Sequence, residues 1–244
     1  MYLENAVRTS VTSDFSVDET YSKEEIREIV GFGEKFGLDV IPAVENLGHL
    51  EKFFAYKSWR EVAECENEHI DGRGFDPELY GSCGCPSDEK LYSLTDTYIK
   101  EVVSLFKSDY VHAGLDEVFD MGVCPKCKKR LGNGESLSDI FLKHVLHTYD
   151  LIKSLGKTMM MWDDFFEYVD ILGKLPRDII MCNWNYGYID YEPRGHWTGR
   201  IKNDRFRQYD KLGFRYMFCV YAHRASSLYN VKSFYRYAKK YKPF

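Results

Sequence analysis

The residues best placed to do chemistry are Asp116 and Glu117, adjacent carboxylates in the run His112-Ala113-Gly114-Leu115-Asp116-Glu117-Val118. Adjacent residues of a regular strand point to opposite faces, so the two can share a site only where the strand has just ended. A carboxylic acid kept protonated beside a carboxylate kept ionised is a general device for cleaving or forming acetal bonds near neutral pH. An Asp-Glu pair also occurs as a plain solvated turn, so the case depends on what the rest of the chain brings to the same place.

The elements that must position this pair are legible as an alternation. Apolar runs at 1–3, 38–44, 110–115, 158–162, 178–184 and 214–221 predict strands. Helical periodicity fills most of the gaps: 22–36, opened by a capping box of Ser22 with Glu25, then 95–107, 136–155 and 231–241. In the third helix Leu137, Ile140, Phe141, Val145, Thr148, Ile152 and Leu155 share one face. Continuously apolar strands separated by helices predict an α/β fold with a parallel sheet. Six βα units are countable, whereas a closed (β/α)8 TIM barrel needs eight. The expectation is therefore an open α/β sheet or a barrel truncated at both ends. Met1 sits directly on a strand, with no room for a preceding helix, which favours the truncated barrel as a single partial domain over 1–244.

Glu4, Glu45, His49, Asp116, Glu117, Trp162, Asp163, Trp184, Tyr186 and Tyr221 all fall at or just beyond the C-terminal ends of these predicted strands. In parallel α/β folds the βα loops converge on that face, which carries the site.

Composition narrows the partners. Thirty-three basic residues against 38 acidic ones give a net charge of −5, with no Lys/Arg run to follow a phosphate backbone, which argues against nucleic acid. No apolar stretch reaches the ~18 residues a membrane span needs, and the N-terminus lacks a basic-then-apolar signal pattern. Seven cysteines, an odd number, do not suggest a secreted disulfide framework, so a reducing cytoplasm is the expected location. Cys83-Gly84-Cys85 and Cys124-Pro125-Lys126-Cys127 offer four thiols, enough for a tetrahedral zinc. The Cys-x-Cys half is tighter than most structural zinc sites use, so the four are read as free thiols and neither metal nor cofactor is assigned. His144 and His147 read as one packed and one exposed helix residue, and Lys126, Lys128, Lys129 and Arg130 as a solvated cluster.

Taken in order, YLEN at 2–5, YSKEEIREIV at 21–30, LDVIPAVENLGHLEKFF at 38–54, YVHAGLDEVFDMG at 110–122, MMMWDDF at 159–165 and NWNY at 183–186 resemble glycoside hydrolase family 20. These are the β-N-acetylhexosaminidases, and the likeness is greatest to the cytosolic hexosaminidase D-like branch. The resemblance implies a TIM barrel that removes terminal β-linked N-acetylhexosamine from a glycan with retention, the nucleophile being the substrate's own 2-acetamido oxygen. It makes Glu117 the general acid and Asp116 the residue that orients the acetamido N–H. His49 matches the histidine that hydrogen-bonds the acid, with Glu4 behind it. Trp162 and Trp184 match walls of the sugar site, Asp163 an acid near them, and His112 opens the acid motif. Tyr186 and Tyr221 are both candidates for the hydroxyl that holds the acetamido oxygen. The family's strand-one arginine would precede Met1 and its strand-eight tryptophan would follow Phe244, so the chain is expected to span strands two to seven. Two alternatives remain at this stage: a retaining barrel glycosidase with a carboxylate nucleophile such as Asp163, about 5 Å from the acid, and a truncated, inactive sugar-binding barrel.

Overall fold

The structure, a computed structural model, describes residues 6–65, 82–184, 205–220, 227–241 and 243–244. Four parallel strands form its centre: β3 (Tyr110–His112), β4 (Thr158–Trp162), β5 (Ile180–Asn183) and β6 (Arg215–Phe218), in the order β3-β4-β5-β6. Register pairs Val111 with Met159, Met161 with Met181 and Cys182 with Met217. Both faces of the arc are covered, which explains why its strands lack polar alternation. Met159, Met161 and Met181 join the main core under the helices, while Met160, Ile180 and Cys182 form a smaller cluster on the opposite face with Ile41, Tyr110, Trp162, Met217 and Cys219.

The segment 38–44 does not form the regular strand its apolar run predicts. It meets β3 through one bridge, Ala43 to His112, with the Val44 N–H donating to the His112 carbonyl (2.8 Å) and the His112 N–H to the Pro42 carbonyl (2.9 Å). Pro42 has no N–H to extend the ladder. The predicted strand at 1–3 lies outside the described residues. A short parallel pair that the sequence did not announce, β1 (Ala6–Val7) with β2 (Thr20–Tyr21), lies beside α1 (Lys23–Lys35) in the chain.

The helices follow from their caps and apolar stripes. In α1 the Glu25 N–H donates to Ser22 Oγ (3.2 Å) and the Ser22 N–H to Glu25 Oε2 (2.7 Å), while Ile26, Val30 and Gly33 face inward. Removing such a cap costs about 1 kcal/mol. Two single-turn helices, α2 (Glu51–Phe54) and α3 (Lys57–Arg60), precede α4 (Glu89–Val103). That helix begins earlier than its periodicity suggests because Asp88 caps it, accepting the Lys90 N–H (3.1 Å). Beyond α5 (Pro125–Gly132), α6 (Leu137–Ser154) buries Ile140, Phe141, Val145 and Ile152 completely. Truncating a side chain such as Phe141 to alanine would cost about 3–5 kcal/mol. The remaining helices are α7 (Arg205–Leu212) and α8 (Ser227–Lys240). Among the described residues no helix is long and apolar enough to cross a membrane.

Candidate active site

The strand carrying the acid pair stops at His112, and the backbone then turns left-handed at Gly114 (φ +63°), Leu115 (+73°) and Glu117 (+49°). Two of these are not glycine, a conformation that costs of order 1–3 kcal/mol each and concentrates at functional sites. The turn breaks the alternation of the strand and brings both carboxylates to one imidazole. His49 Nε2 lies 3.2 Å from Asp116 Oδ2 and 3.2 Å from Glu117 Oε2. His49 is itself left-handed (φ +54°). Its loop lies against the acid turn so closely that a Cβ on Gly48 would collide with the Asp116 carbonyl oxygen, and one on Gly114 with the Glu45 carboxylate.

Burial alone would push the His49 pKa down, but hydrogen bonds to Asp116 and Glu117, with the charges of Asp116 and Glu45, raise it to about 11. The ring is therefore an imidazolium among acids. Glu51 Oε1 stands 4.0 Å from its Nδ1, within ion-pair range but beyond a hydrogen bond. His112 behaves oppositely: burial lowers its pKa to about 4, so it is neutral. Its Nδ1 accepts the Gly114 N–H (3.1 Å), which places the proton on Nε2, and its ring packs on Trp162 with centroids 4.4 Å apart. That Nε2 and Asp116 Oδ1 are both buried without a hydrogen-bond partner among the described residues. A buried donor and a buried acceptor left open in one site suit a polar ligand.

Of the acids at the end of β4, the one that reaches the turn is Asp164, which the sequence reading did not single out. Its Oδ2 accepts the Glu117 N–H (3.0 Å) and its Oδ1 the Trp184 Nε1–H (3.1 Å). Burial, reinforced by the charge on Asp116, holds its carboxyl well above the usual range. Asp163 faces elsewhere. It accepts both bonds from Asn183 Nδ2 (3.1 and 2.9 Å) and one from the Tyr209 hydroxyl (2.6 Å), bracing β4 against β5 and α7. The two differ because β4 ends at Trp162: the backbone leaves the extended conformation at Asp163 (φ −113°, ψ 0°), and Asp164 opens a 3-10 turn, Asp164–Glu167, that carries its carboxylate to the acid turn. The structure thus gathers Asp116, Glu117 and His49, with Trp184 joined through Asp164 and the His112–Trp162 pair alongside. Glu4, Tyr186 and Tyr221 lie outside the described residues.

A second polar network supports the turn from behind. Asn46 donates to the Ala113 carbonyl (2.6 Å), and its Oδ1 accepts from His144 Nε2 (2.6 Å) and Thr148 Oγ1 (3.1 Å) on α6. Burial drives the His144 pKa down to about 3, so it is a neutral donor. His147, nearer the surface, pairs with Asp96 (2.8 Å).

Comparison with known proteins gives a consistent family. A β-hexosaminidase of Vibrio furnissii is 28% identical over 170 residues, covering 67% of this chain and 26% of that protein. The β-hexosaminidase subunit β of Mus musculus is 25% identical over 191 residues, covering 73% and 32%. The chain therefore spans about a quarter to a third of these relatives. Among solved structures, the chitobiase of Flavobacterium johnsoniae superposes with a TM-score of 0.66 at 21% identity, over 87% of this chain and 31% of that one. An exo-β-N-acetylglucosaminidase of Vibrio harveyi in complex with N-acetylglucosamine gives 0.56 at 20% identity, over 82% and 28%. These likenesses establish the arc of strands as part of the TIM-barrel fold of such catalytic domains. Residues 3–207 match the family described as glycosyl hydrolase family 20, catalytic domain, and the chain belongs to that family.

Proposed function

We propose that this chain carries the catalytic centre of an exo-acting, retaining β-N-acetylhexosaminidase of the hexosaminidase D-like branch, acting through the substrate's 2-acetamido group. The observation that carries the reading is the left-handed turn that sets Asp116 and Glu117 against His49, with Asp116 Oδ1 buried and open to a donor. In this reading Glu117 protonates the glycosidic oxygen as the C1–O bond breaks, and the acetamido oxygen closes on C1. Asp116 accepts the acetamido N–H and stabilises the positive charge of the oxazolinium-like intermediate. Glu117 then takes a proton from the water that attacks C1, which reopens the ring with net retention. His49 holds the two carboxylates in register, and Asp164 fixes the backbone of Glu117 and the indole of Trp184. Trp162 and Trp184 offer aromatic faces to the sugar.

We further place the chain as strands two to seven of one partial catalytic barrel, the remaining strands lying outside it. Its partial coverage of the relatives supports this reading. The V. harveyi enzyme is named for N-acetylglucosamine, which supports a glycan ending in that sugar class as substrate. The odd count of seven cysteines supports a reducing, cytoplasmic location.

A thiazoline analogue of the cyclised intermediate tests the mechanism. It should inhibit competitively, whereas a barrel glycosidase with its own carboxylate nucleophile would ignore it. Asp163, proposed from sequence as such a nucleophile, is committed to Asn183 and Tyr209. In the intact enzyme Asp116→Asn should lower turnover while leaving the affinity for uncharged product nearly unchanged. A rise in KM alone would reduce Asp116 to a simple binding residue.

A further inference from the structure

Away from the acid turn, four side chains from three chain segments converge. Glu64, Cys85, Cys124 and Cys127 place one ligand-type atom each within 4.8 Å of one another. Cys85 Sγ is 3.3 Å from Cys124 Sγ and 3.8 Å from Cys127 Sγ, and Glu64 Oε2 is 3.5 Å from Cys127 Sγ. A tetrahedron of sulfurs about 2.3 Å from a central zinc has edges of about 3.8 Å, so these separations are those of a coordination shell. Cys83, counted with the other three thiols in the sequence, is packed in the hydrophobic core, and the carboxylate of Glu64 takes the fourth place.

The surroundings are arranged as they are around bound metals. Cys124 caps α5 with Pro125 behind it, and the Cys127 N–H donates back to Cys124 Sγ (3.3 Å), forming a compact Cys-x-x-Cys knuckle. Glu64 Oε1 is occupied by the N–H groups of Gly122 (2.7 Å) and Cys124 (3.1 Å), which turns Oε2 toward the sulfurs. Ser87 Oγ lies 3.1 Å from Cys127 Sγ and accepts from Arg130 Nη1 (3.1 Å). Such outer contacts fix ligand orientation. Three thiolates and a carboxylate around a dication leave a net negative charge, and α5 supplies Lys126, Lys128, Lys129 and Arg130 beside it. Of these, Lys126 pairs with Asp88 and Arg130 with Glu135, while Lys128 and Lys129 are exposed.

We propose that Cys85, Cys124, Cys127 and Glu64 bind one zinc-class divalent cation in a closed structural site. Thiolate donors select zinc over magnesium or calcium, and four protein ligands leave no open position for catalysis. Binding displaces the three thiol protons to solvent. The ion would clamp the loops that flank the acid turn. The Leu50 N–H donates to the Ser82 carbonyl (2.9 Å) and the Gly84 N–H to the Leu47 carbonyl (2.8 Å), so the Cys85 segment is tied to the His49 loop. Cys124 and Cys127 follow in sequence from the turn bearing Glu117.

The test is metal analysis of the intact protein purified under reducing conditions without chelator. About one zinc per chain is expected. Exchange with Co²⁺ should produce sulfur-to-cobalt charge-transfer absorption and the visible bands of a tetrahedral ion. Cys85→Ser and Cys124→Ser should each lower metal affinity by more than the ~10-fold that losing an outer contact alone costs, whereas Cys83→Ser should retain the ion. Chelation should lower the thermal midpoint of the wild type by about 5 °C or more. Protein that holds no zinc and shows no cobalt spectrum, with its thiols reacting freely or joined as a disulfide, would overturn the proposal. Equal metal loss in Cys83→Ser would do so as well, because it would show that general loosening, not ligation, governs binding.

Discussion

Two polar clusters draw on neighbouring loops of the molecule and are built in opposite ways. Around His49, two carboxylates share one imidazolium, non-glycine residues are forced left-handed, and His112 Nε2 and Asp116 Oδ1 are buried without partners among the described residues. Around Glu64 the sulfurs and the carboxylate face one another, and backbone N–H groups fill the outer positions. Groups left strained and open are suited to a ligand that comes and goes, whereas a set that closes on itself is suited to anchorage. The proposed chemistry and the proposed anchorage thus fall in adjoining loops.

The most direct way to break this division is at the acid. Glu117→Gln should lower turnover of natural glycosides at least about 10²-fold, the usual contribution of general acid catalysis. The loss should be much smaller with nitrophenyl leaving groups, which need no proton. Equal losses on both substrates would remove Glu117 from that role. Gly114→Ala places a Cβ against the Glu45 carboxylate at a left-handed position, so it should cost of order 1–3 kcal/mol in urea denaturation and reduce activity out of proportion to that loss. Unchanged activity would show that the strained turn is incidental.

The histidines sharpen the contrast through pH. His49, raised to about 11, contributes stability that is complete below its unfolded pKa near 6.5 and is lost as pH rises toward 11. His112 and His144, lowered to about 4 and 3, contribute stability present above 6.5 that is lost as pH falls through those values. Wild-type denaturation midpoints should therefore decline on both sides of about pH 6.5, and His49→Gln should flatten the alkaline limb alone. An unaltered alkaline limb in that variant would mean His49 is not the imidazolium described here. The smallest effect is expected at His147, whose half-exposed pair with Asp96 should be worth under about 1 kcal/mol when His147→Ala is compared with wild type. A larger loss would extend the buried network of His144 to the surface.

What the sequence made legible follows from how local each signal is. The capping box at Ser22 and the apolar stripe of α6 are short-range patterns, and those helices stand within a residue or two of where periodicity puts them. The convergence of His49 with Asp116 and Glu117 was expected through the family resemblance, since nothing local in Leu-Gly-His reveals which acids it will meet. Asp163 is marked by its place at the strand end and by the family resemblance, and nothing comparable in the sequence marks Asp164. What distinguishes the two is the 3-10 turn that begins at Asp164, which no strand or helix periodicity announces. The run at 38–44 reads as a strand by composition, yet Pro42 limits it to a single bridge. Glu64 could not be found as a partner of the cysteines, because an acid distant in sequence carries no spacing signal.

The contact between Gly48 and the Asp116 carbonyl bears on how chains of this family can be recombined. With no side chain between them, the two backbones act as matching surfaces, so 45–50 and 112–118 are a single inheritable unit although more than half a hundred residues separate them in the chain. A chimaera that receives only one of the two segments from a relative whose loop carries a side chain at this point should express as insoluble protein. One that receives both together should remain soluble.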